Sequence, residues 1–370
     1  MVKPHKQALE VINVTKAYLP PREKLNQYID RIYKSGWITN NGELVHELEK
    51  RLAKHLGVDH LVLVTNGTLA LQIAYKTLNL TGEVITTPFS FVATTSSLMW
   101  EHLTPVFADI DPATFNIDPK NILKAITTQT SAVLPVHVFG NGCDIEAINE
   151  ICTKYNIKII YDAAQAFGVK YKDSSIINKG DASILSFHAT KIFHTIEGGA
   201  IVFREKKHYE NAKLLINFGI SGYEKVDILG INAKMNEFQA AIGLCILDDI
   251  DDIIAERKKI WERYFQSFEN SENLTLQKLN ADCSNNYTYF PLVFKSEADL
   301  LGIKDALNSK DINPRRYFYP SLNRLRYIDN PVSCENSESI ASRILCLPIF
   351  PGLDSDIQQR IINTVIETNQ

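Results

Sequence analysis

Cysteine is sparse in this chain, and none of its six cysteines stands in a CxxC pair. They are scattered over positions 143, 152, 245, 283, 334 and 346, so they indicate neither a zinc site nor a disulfide framework. Isolated thiols are typical of proteins in a reducing compartment. We therefore expect a cytoplasmic protein with no resident metal.

Long apolar runs and a surplus of positive charge are also missing. No run is long enough to cross a bilayer as a helix, and the amino-terminal segment MVKPHKQALEVINV lacks the apolar core of a signal peptide. Lys and Arg number 39 against 43 Asp and Glu, which gives a formal net charge of −4. Because this balance leaves no basic footprint, we expect no nucleic-acid partner and no membrane partner. A few local cations could still hold a small anion.

Two glycine motifs that bind nucleotides are absent as well. The chain has no GxGxxG, which nicotinamide and flavin folds place after a strand, and no GxxxxGK, which marks a P-loop. These absences argue against both classes of nucleotide-binding enzyme.

What the chain does contain is the composition of a globular protein, with 45% apolar and 22% charged residues. Between residues 61 and 203, short apolar runs alternate with stretches whose apolar residues recur at helical spacing. Runs without polar alternation predict strands buried on both faces. They are 61–64, 83–87, 105–110, 131–138, 158–163, 183–187 and 200–203. Strands that alternate with helices predict an α/β fold with a mostly parallel sheet.

Helical patterns lie between these runs, at 68–78 and 145–155, and before them, at 43–56. The stretch 236–268 is predicted to be one long helix that bridges two domains. Beyond it, a strand over 287–294 and a helix over 297–309 indicate a smaller α+β region. We expect a large α/β domain over residues 11–250 and a small C-terminal α+β domain over residues 251–370.

The segment VTNGTLALQIA (64–74) places a tight turn between a strand and a helix. Free amides at a helix N-terminus, beside the small residues Gly67 and Thr68, would form a cradle for a phosphate. Ordinary helix capping by Asn66 or Thr68 would explain the same residues. The segment alone leaves both interpretations open.

Asp162 follows a buried run, at the edge of the sheet where α/β proteins bind their ligands. An unpaired carboxylate there is costly, and a protonated ring nitrogen would pair with it. Capping of the following helix is the alternative. The neighbouring alanines leave space for a flat group, and Gln165 adds a hydrogen-bonding head.

Lys191 lies in HATKIFHTIEGGA (188–200), between two predicted strands. A lysine in an apolar pocket has a lowered pKa and can form a Schiff base with an aldehyde, although most lysines are simply solvated. Ser186 ends the preceding strand, and Gly198 and Gly199 would let the backbone approach a ligand closely.

Phe89 and Phe91 follow another strand and could stack on a flat ring or pack in the core. Together the candidate groups specify one ligand. It carries a phosphate for the 66–68 turn, a protonated nitrogen for Asp162, an aldehyde for Lys191 and a flat face for an aromatic side chain. These are the parts of pyridoxal 5′-phosphate.

Six segments of this chain carry a resemblance, and it is most specific at SFHATK and the EGG that follows; the segments are WITNNG, TNGTLAL, TTPFSFVAT, DAAQAFG, SFHATKIFHTIEGGA and GINAKMNEFQAAIGL. In order and spacing they resemble the DegT/DnrJ/EryC1/StrS family of sugar-nucleotide aminotransferases. The resemblance runs from about residue 11 to the C-terminus. It implies pyridoxal-phosphate fold type I, which is like aspartate aminotransferase, with a large mostly parallel sheet and a small C-terminal α+β domain.

The resemblance also implies a set of cofactor-binding residues, which are Gly67, Thr68, Phe91, Asp162, Gln165, Ser186, Lys191 and Asn232. Lys191 would be the catalytic residue, holding the cofactor as a Schiff base and then acting as general base. Asp162 would hold the ring nitrogen, and Gln165 the phenolic oxygen. Asn232 would reach the phosphate of the partner subunit, so the resemblance implies a homodimer with shared active sites.

Substrate contacts are implied for Thr39, His188, Arg315, Arg316, Tyr317 and Tyr319. Surface solvation is the alternative for the two arginines. The sequence departs from the family at Lys234, where many relatives have arginine in the stretch N-x-R-M. That change weakens any bidentate contact there. The roles of His188 and His194 stay open.

The activity implied is transfer of an amino group from L-glutamate to a nucleotide-linked keto-deoxy sugar, giving an amino sugar for a surface polysaccharide such as a lipopolysaccharide O-antigen. SFHATK is more similar to members that aminate C4 of dTDP-4-keto-6-deoxyhexoses than to the 3-keto branch. A 3-keto aminotransferase, a dehydratase of the same fold and a non-catalytic cofactor-binding regulator are the alternatives. The dehydratases carry histidine where Lys191 stands.

Overall fold

The computed structural model of the protein describes residues 11–329 and 332–368. Most of the amino-terminal segment in which we predict no signal peptide lies outside the described residues. Within the described ranges, no helix combines the length and the apolar character needed to cross a membrane.

The strands are β1 (Ile12–Asn13), β2 (Leu61–Val64), β3 (Glu83–Thr86), β4 (Thr104–Phe107), β5 (Thr130–Leu134), β6 (Lys158–Asp162), β7 (Lys170–Tyr171), β8 (Ser174–Ser175), β9 (Ala182–Ser186), β10 (Gly199–Phe203), β11 (Ile220–Gly222), β12 (Lys225–Val226), β13 (Leu274–Leu276), β14 (Pro291–Phe294), β15 (Ile312–Asn313) and β16 (Ile344–Cys346). The helices are α1 (Arg22–Ser35), α2 (Glu43–Leu56), α3 (Gly67–Thr77), α4 (Ala93–Trp100), α5 (Pro119–Ala125), α6 (Ile145–Tyr155), α7 (Lys206–Leu215), α8 (Glu237–Asp248), α9 (Ile250–Phe268), α10 (Glu297–Asn308), α11 (Glu335–Arg343) and α12 (Ser355–Thr368).

A seven-stranded sheet in the order β2-β10-β9-β6-β5-β3-β4 forms the centre of the molecule. Only β10 runs antiparallel to its neighbours, and every other pairing is parallel. Each of the seven predicted apolar runs overlaps one of these strands, with starts that agree to within one residue. The predicted α/β fold with a mostly parallel sheet is therefore confirmed.

Helices cover both faces of this sheet, which explains why its strands carry no polar alternation. Leu61 and Leu63 of β2 pack in one apolar cluster with α2 and α8, whereas Val62 and Val64 pack in another with α3 and α7. Successive side chains of a strand point to opposite faces, so a strand covered on both sides must be apolar throughout. Helix α2 matches its predicted bounds and buries all four leucines of its apolar stripe.

The predicted helix over 236–268 is instead two helices, α8 and α9, which meet at Asp249. Four aspartates lie within residues 248–252. Carboxylates are unfavourable at the C-terminus of a helix and favourable in the first turn of the next one, so this run ends α8 and begins α9. Lys24 forms ion pairs with Asp248 at 3.0 Å and Asp249 at 2.9 Å, which holds the junction against α1.

The C-terminal region builds a separate three-stranded sheet, β13-β14-β16, with α9, α10 and α12 around an apolar cluster. The strand predicted over 287–294 begins only at Pro291, because Tyr287 has a φ of 58° and turns the chain. Strand β1 pairs in parallel with β15, so the start of the described chain lies beside the C-terminal region. The domain division at residue 250 stays a prediction.

Candidate active site

A cavity of about 290 Å³ lies at the carboxyl ends of the parallel strands. The residues that follow β2, β3, β5, β6 and β9 line its floor, and the segment 315–318 closes one side. This is the edge at which open α/β sheets bind ligands, because side chains from several strands and helix N-termini converge there.

The cavity brings together most of the residues singled out in the sequence. Those that line it are Gly67, Thr68, Phe91, Asp162, Gln165, Ser186, His188, Lys191, Arg315 and Tyr317. Four predicted residues do not line it, which are Thr39, Asn232, Arg316 and Tyr319.

The turn at residues 66–68 combines the two roles that the sequence left open. Asn66 caps α3, with its Oδ1 accepting a hydrogen bond from Leu69 N at 2.8 Å. The amides of Gly67 and Thr68 precede that bond and have no carbonyl partner within the helix. A Cβ on Gly67 would lie 3.0 Å from the Cβ of Ser186, so glycine allows α3 to begin beside the end of β9. The turn therefore contains a helix cap and, beside it, two backbone amides that the cap does not use, so the predicted phosphate site stays a prediction.

Asp162 is 5% exposed, and each of its carboxylate oxygens accepts a hydrogen bond. Thr94 Oγ1 donates to Oδ2 at 2.8 Å, and the amide of Ala164 donates to Oδ1 at 3.1 Å. Since Thr94 gives its only hydroxyl proton to the carboxylate, Ser90 Oγ must donate to Thr94 Oγ1 across their 2.8 Å contact. Burial raises the pKa of Asp162, and the two hydrogen bonds and Lys191 oppose that rise.

Lys191 lies in the loop between the antiparallel strands β9 and β10, as the sequence predicts. Its backbone amide donates to the carbonyl of His188 at 2.8 Å, which forms a tight turn. Burial lowers the pKa of the Lys191 amine to about 8, while the charge of Asp162 partly opposes this. Removing a charge from water disfavours the ionised form, so the amine loses its proton far more easily than a solvated lysine.

The aromatic and amide candidates take distinct positions. Phe91 is 53% exposed and lines the cavity, whereas Phe89 is fully buried against Phe115 and Phe318. Gln165 Oε1 accepts a hydrogen bond from the amide of Phe139, which leaves the amide nitrogen of Gln165 as the donor for the cavity.

Gly198 and Gly199 are each packed closely against other residues of the protein. A Cβ on Gly199 would lie 2.8 Å from the carbonyl of Asn66, so this glycine lets β10 pass the first turn of α3. A Cβ on Gly198 would overlap Thr195 Oγ1. The close approach expected from the sequence exists at Gly199, where it joins the Lys191 loop to the 66–68 turn.

The two histidines of the loop differ in position. The Nδ1 of His188 accepts a hydrogen bond from the amide of Thr190 at 3.2 Å, and its Nε2 lies 3.6 Å from a carboxylate oxygen of Glu197 at the edge of the cavity. His194 is buried outside the cavity, where its Nε2 donates to the carbonyl of Tyr18 at 2.8 Å. Burial lowers the pKa of His194, as expected for a neutral packing residue.

The two arginines also separate. Arg315 lines the cavity with its guanidinium 4.8 Å from the ring centre of Tyr317. Arg316 points elsewhere, forms an ion pair with Glu297 at 2.6 Å and stacks on Tyr319 at 3.6 Å. That arrangement explains why neither Arg316 nor Tyr319 lines the cavity.

The polar cavity residues that were not found from the sequence include Ser90, Thr94, Thr190, Glu197 and Tyr289. The density of Ser and Thr in TTPFSFVATTSS was the only signal for Thr94. Nothing local connects Thr94 to a carboxylate that lies 68 residues further along the chain.

Residues 21–366 match the model of the DegT/DnrJ/EryC1/StrS aminotransferase family. The chain is 43% identical to the dTDP-4-amino-4,6-dideoxy-D-glucose transaminase of Shigella dysenteriae, over 96% of this chain and 98% of that one. The crystal structure of DesI in the presence of its TDP-sugar product is similar with a TM-score of 0.91, at 31% identity over 97% of this chain and 93% of that one. NtdA from Bacillus subtilis, solved with bound cofactor PMP, gives a TM-score of 0.87 at 26% identity, over 94% of this chain and 81% of that one.

We expect the Lys191 amine of cofactor-free protein to titrate near pH 8, because burial lowers its pKa. Competitive labelling with trace acetic anhydride over a pH series, read by peptide mass spectrometry, measures this midpoint. Asp162→Asn removes the charge that raises the pKa of Lys191, so the midpoint should fall further. A midpoint at the ordinary lysine value of 10.5 would show that the amine is solvated.

Proposed function

The chain belongs to the DegT/DnrJ/EryC1/StrS aminotransferase family, and from this premise we propose that it is a pyridoxal-phosphate-dependent aminotransferase of nucleotide-linked keto-deoxy sugars. The observation that carries the proposal is the single cavity shared by Lys191, Asp162 and the N-terminus of α3. We also propose that the protein acts in the cytoplasm, because its six cysteines are free thiols and free thiols are typical of a reducing compartment.

The residues present fit this cofactor. Gly67 and Thr68 offer unpaired amides for a phosphate, and Ser186 adds a hydroxyl beside them. The buried carboxylate of Asp162 has no cationic side chain in hydrogen-bond contact among the described residues, so a protonated ring nitrogen would relieve the cost of its burial. Phe91 presents a ring to the same cavity.

Bound pyridoxal phosphate supplies an aldehyde carbon that takes up the amino group and a ring that withdraws electrons from it. Asp162 keeps a proton on the ring nitrogen, because a buried carboxylate is stabilised by a cation at that atom. When it is not bonded to the cofactor, the Lys191 amine would accept and return the proton at the substrate carbon, a role favoured by burial, which lowers its pKa to about 8. The amide nitrogen of Gln165 orients the ring by donating a hydrogen bond.

We propose L-glutamate as the amino donor and C4 of dTDP-4-keto-6-deoxy-D-glucose as the acceptor. The name of the Shigella dysenteriae relative and the TDP-sugar product of DesI support this choice. Arg315 is, apart from Lys191, the only Lys or Arg among the described residues that line the cavity. We therefore assign its guanidinium to an anionic group of the substrate, and Tyr317 packs beneath it.

We also propose a homodimer with shared active sites. Thr39 and Asn232 are exposed and lie outside the cavity of their own chain. Exposed apolar side chains adjoin each of them in the chain: Trp37 at 54% and Ile38 at 57% precede Thr39, and Ile231 at 43% precedes Asn232. A second copy of this chain would bury these side chains and bring Thr39 and Asn232 to a cavity.

The decisive experiment incubates the holoenzyme with L-glutamate and a panel of dTDP-, UDP- and GDP-linked 4-keto and 3-keto sugars. We expect a 4-amino product from dTDP-4-keto-6-deoxy-D-glucose, identified by mass spectrometry and NMR. Lys191→Ala should lose about a thousandfold or more of the turnover, since it removes the group that moves the proton. Lys206→Ala, at an exposed helix start, is the matched control and should keep full turnover.

Amination of GDP sugars alone would contradict the dTDP assignment. Elimination of a hydroxyl without amine transfer would indicate a dehydratase. Cofactor binding without turnover of any sugar in the panel would contradict the aminotransferase proposal, as would full turnover by Lys191→Ala.

We expect the Thr94 hydroxyl to increase the affinity of the protein for its cofactor, because it helps Asp162 to stay ionised. Thr94→Val keeps the shape of the side chain but removes the hydroxyl that donates to Oδ2, so the pKa of Asp162 should rise further. A lost hydrogen bond to a charged group should weaken cofactor affinity by about tenfold or more. Spectral titration of cofactor-free protein measures this affinity, with Thr94→Ser as the control that retains the hydroxyl. Equal affinity of the valine variant would show that the contact has no such role.

A further inference from the structure

Glu237, the first residue of α8, has a buried carboxylate that caps a different helix. It is 2% exposed, its Oε2 accepts a hydrogen bond from Leu44 N at 2.8 Å, and its Oε1 accepts one from Val45 N at 2.9 Å. Both amides belong to the first turn of α2, whose positive dipole end favours a carboxylate. The N-cap residue of α2 is Gly42, which has no side chain to supply that cap.

Helix α8 does not need the Glu237 side chain for its own N-terminus. Asn236 Oδ1 accepts from the amide of Gln239 at 2.9 Å, and Gln239 Oε1 accepts from the amide of Asn236 at 3.2 Å. This reciprocal capping box satisfies the start of α8. The carboxylate of Glu237 is thus available to cap the N-terminus of α2.

The same residue fixes the segment that precedes α2. The backbone amide of Glu237 donates to the carbonyl of Ile38 at 3.1 Å. A Cβ on Gly42 would lie 2.5 Å from Cδ of Glu237 and 2.6 Å from Cδ1 of Trp37, so only glycine fits between them. Residues 37–42 and the start of α8 are therefore held as one unit.

Two exposed residues that lie outside their own cavity adjoin this unit. Thr39 belongs to the 37–42 segment, and Asn232 lies five residues before Glu237, in a stretch that also bridges to Asn217. Exposed apolar side chains adjoin each of them along the chain: Trp37 and Ile38 precede Thr39, and Ile231 precedes Asn232. Such a surface is suited to cover by a second copy of this chain.

We propose that Glu237 is a positioning residue that acts across the dimer: its carboxylate sets the 37–42 and 232–236 segments in register, and this unit completes the cofactor site of the partner subunit. The proposal rests on the proposed function for the identity of the cofactor. Within the described residues, the Glu237 carboxylate forms its hydrogen bonds with Leu44 and Val45, neither of which lines the cavity, so we expect its effect to pass through the segments that it holds.

The alternative is that the start of α8 acts on the active site of its own chain, by a route through Gln239. Gln239 Nε2 donates to the carbonyl of Glu197 at 2.6 Å, and Glu197 lies in the Lys191 loop. If the start of α8 acted through this contact, a change at Glu237 would damage the site of the same chain. The two routes predict opposite results when two variants are combined in one dimer.

The test is subunit complementation with Glu237→Gln and Lys191→Ala. The glutamine offers one acceptor oxygen in place of two, so one amide of α2 loses its partner. Holoenzyme dimers that contain one chain of each variant are isolated with two affinity tags. In each such dimer, the Glu237→Gln chain keeps its Lys191. The partner of that chain carries Lys191→Ala and keeps its Glu237, so the one competent site faces an intact Glu237. Cofactor affinity is read from the absorbance of bound pyridoxal phosphate, and turnover is measured separately.

We expect the Glu237→Gln homodimer to bind the cofactor about tenfold more weakly than the native protein, because a hydrogen bond to a charged group is lost. The mixed dimer should recover native affinity at its one competent site and half of the native turnover. Glu338→Gln is the matched control, since Glu338 also accepts a backbone amide beside a helix start, that of Cys334 at 3.1 Å, and its hydrogen-bond partners among the described residues belong to neither segment. It should leave cofactor affinity unchanged.

A mixed dimer whose competent site is as weak as that of the Glu237→Gln homodimer would overturn the proposal in favour of the route through Gln239. Native affinity in the Glu237→Gln homodimer would overturn it outright. If that variant does not assemble, Gly42→Ala replaces it, since the added methyl displaces the same carboxylate without changing charge. A native protein that binds the cofactor but aminates no sugar would contradict the proposed function, while the affinity measurements would still decide the role of Glu237.

Discussion

The Asp162 carboxylate and the Lys191 amine share one cavity, and burial disfavours the charge of each. Burial raises the pKa of Asp162 and lowers that of Lys191 to about 8, while the charge of each residue partly restores that of the other. The cavity therefore holds an amine that is ready to react and a carboxylate that lacks a full counter-charge. Thr94 and Ser90 help the carboxylate to stay ionised. A ligand with an aldehyde and a protonated ring nitrogen satisfies both groups at once.

Parallel strand order is what brings these two residues together. Asp162 ends β6, Lys191 follows β9, and these strands are neighbours in the sheet. Antiparallel β10 then returns beside β2, and Gly199 lets it pass the first turn of α3 within van der Waals distance. The 66–68 turn, the Asp162 carboxylate and the Lys191 amine are thus brought to one cavity by the backbone of the sheet.

Sequence patterns predict the parts of this protein whose signals are local. Buried runs located the strands of the central sheet, and the leucine spacing of 43–56 located α2 to the residue, because both depend on burial of a continuous face. The break at Asp249 was missed, since the apolar periodicity continues through it. Thr94, the capping of α2 by Glu237 and the turning of Arg316 toward Glu297 were missed because each depends on a contact with a distant part of the chain. The 66–68 turn was left undecided by its sequence, and the structure shows why, since the capping side chain and the free amides belong to different residues.

We propose that Lys191 is the residue that bonds to the cofactor. Lys234 is the sharpest competitor, because burial lowers its pKa as well. Reduction of the holoenzyme with sodium borohydride, followed by digestion and mass spectrometry, identifies the lysine that carries the pyridoxyl group. We predict the modification on Lys191 and on no other lysine. A pyridoxyl group on Lys234, or its absence from Lys191 in protein that retains the cofactor, would contradict the claim.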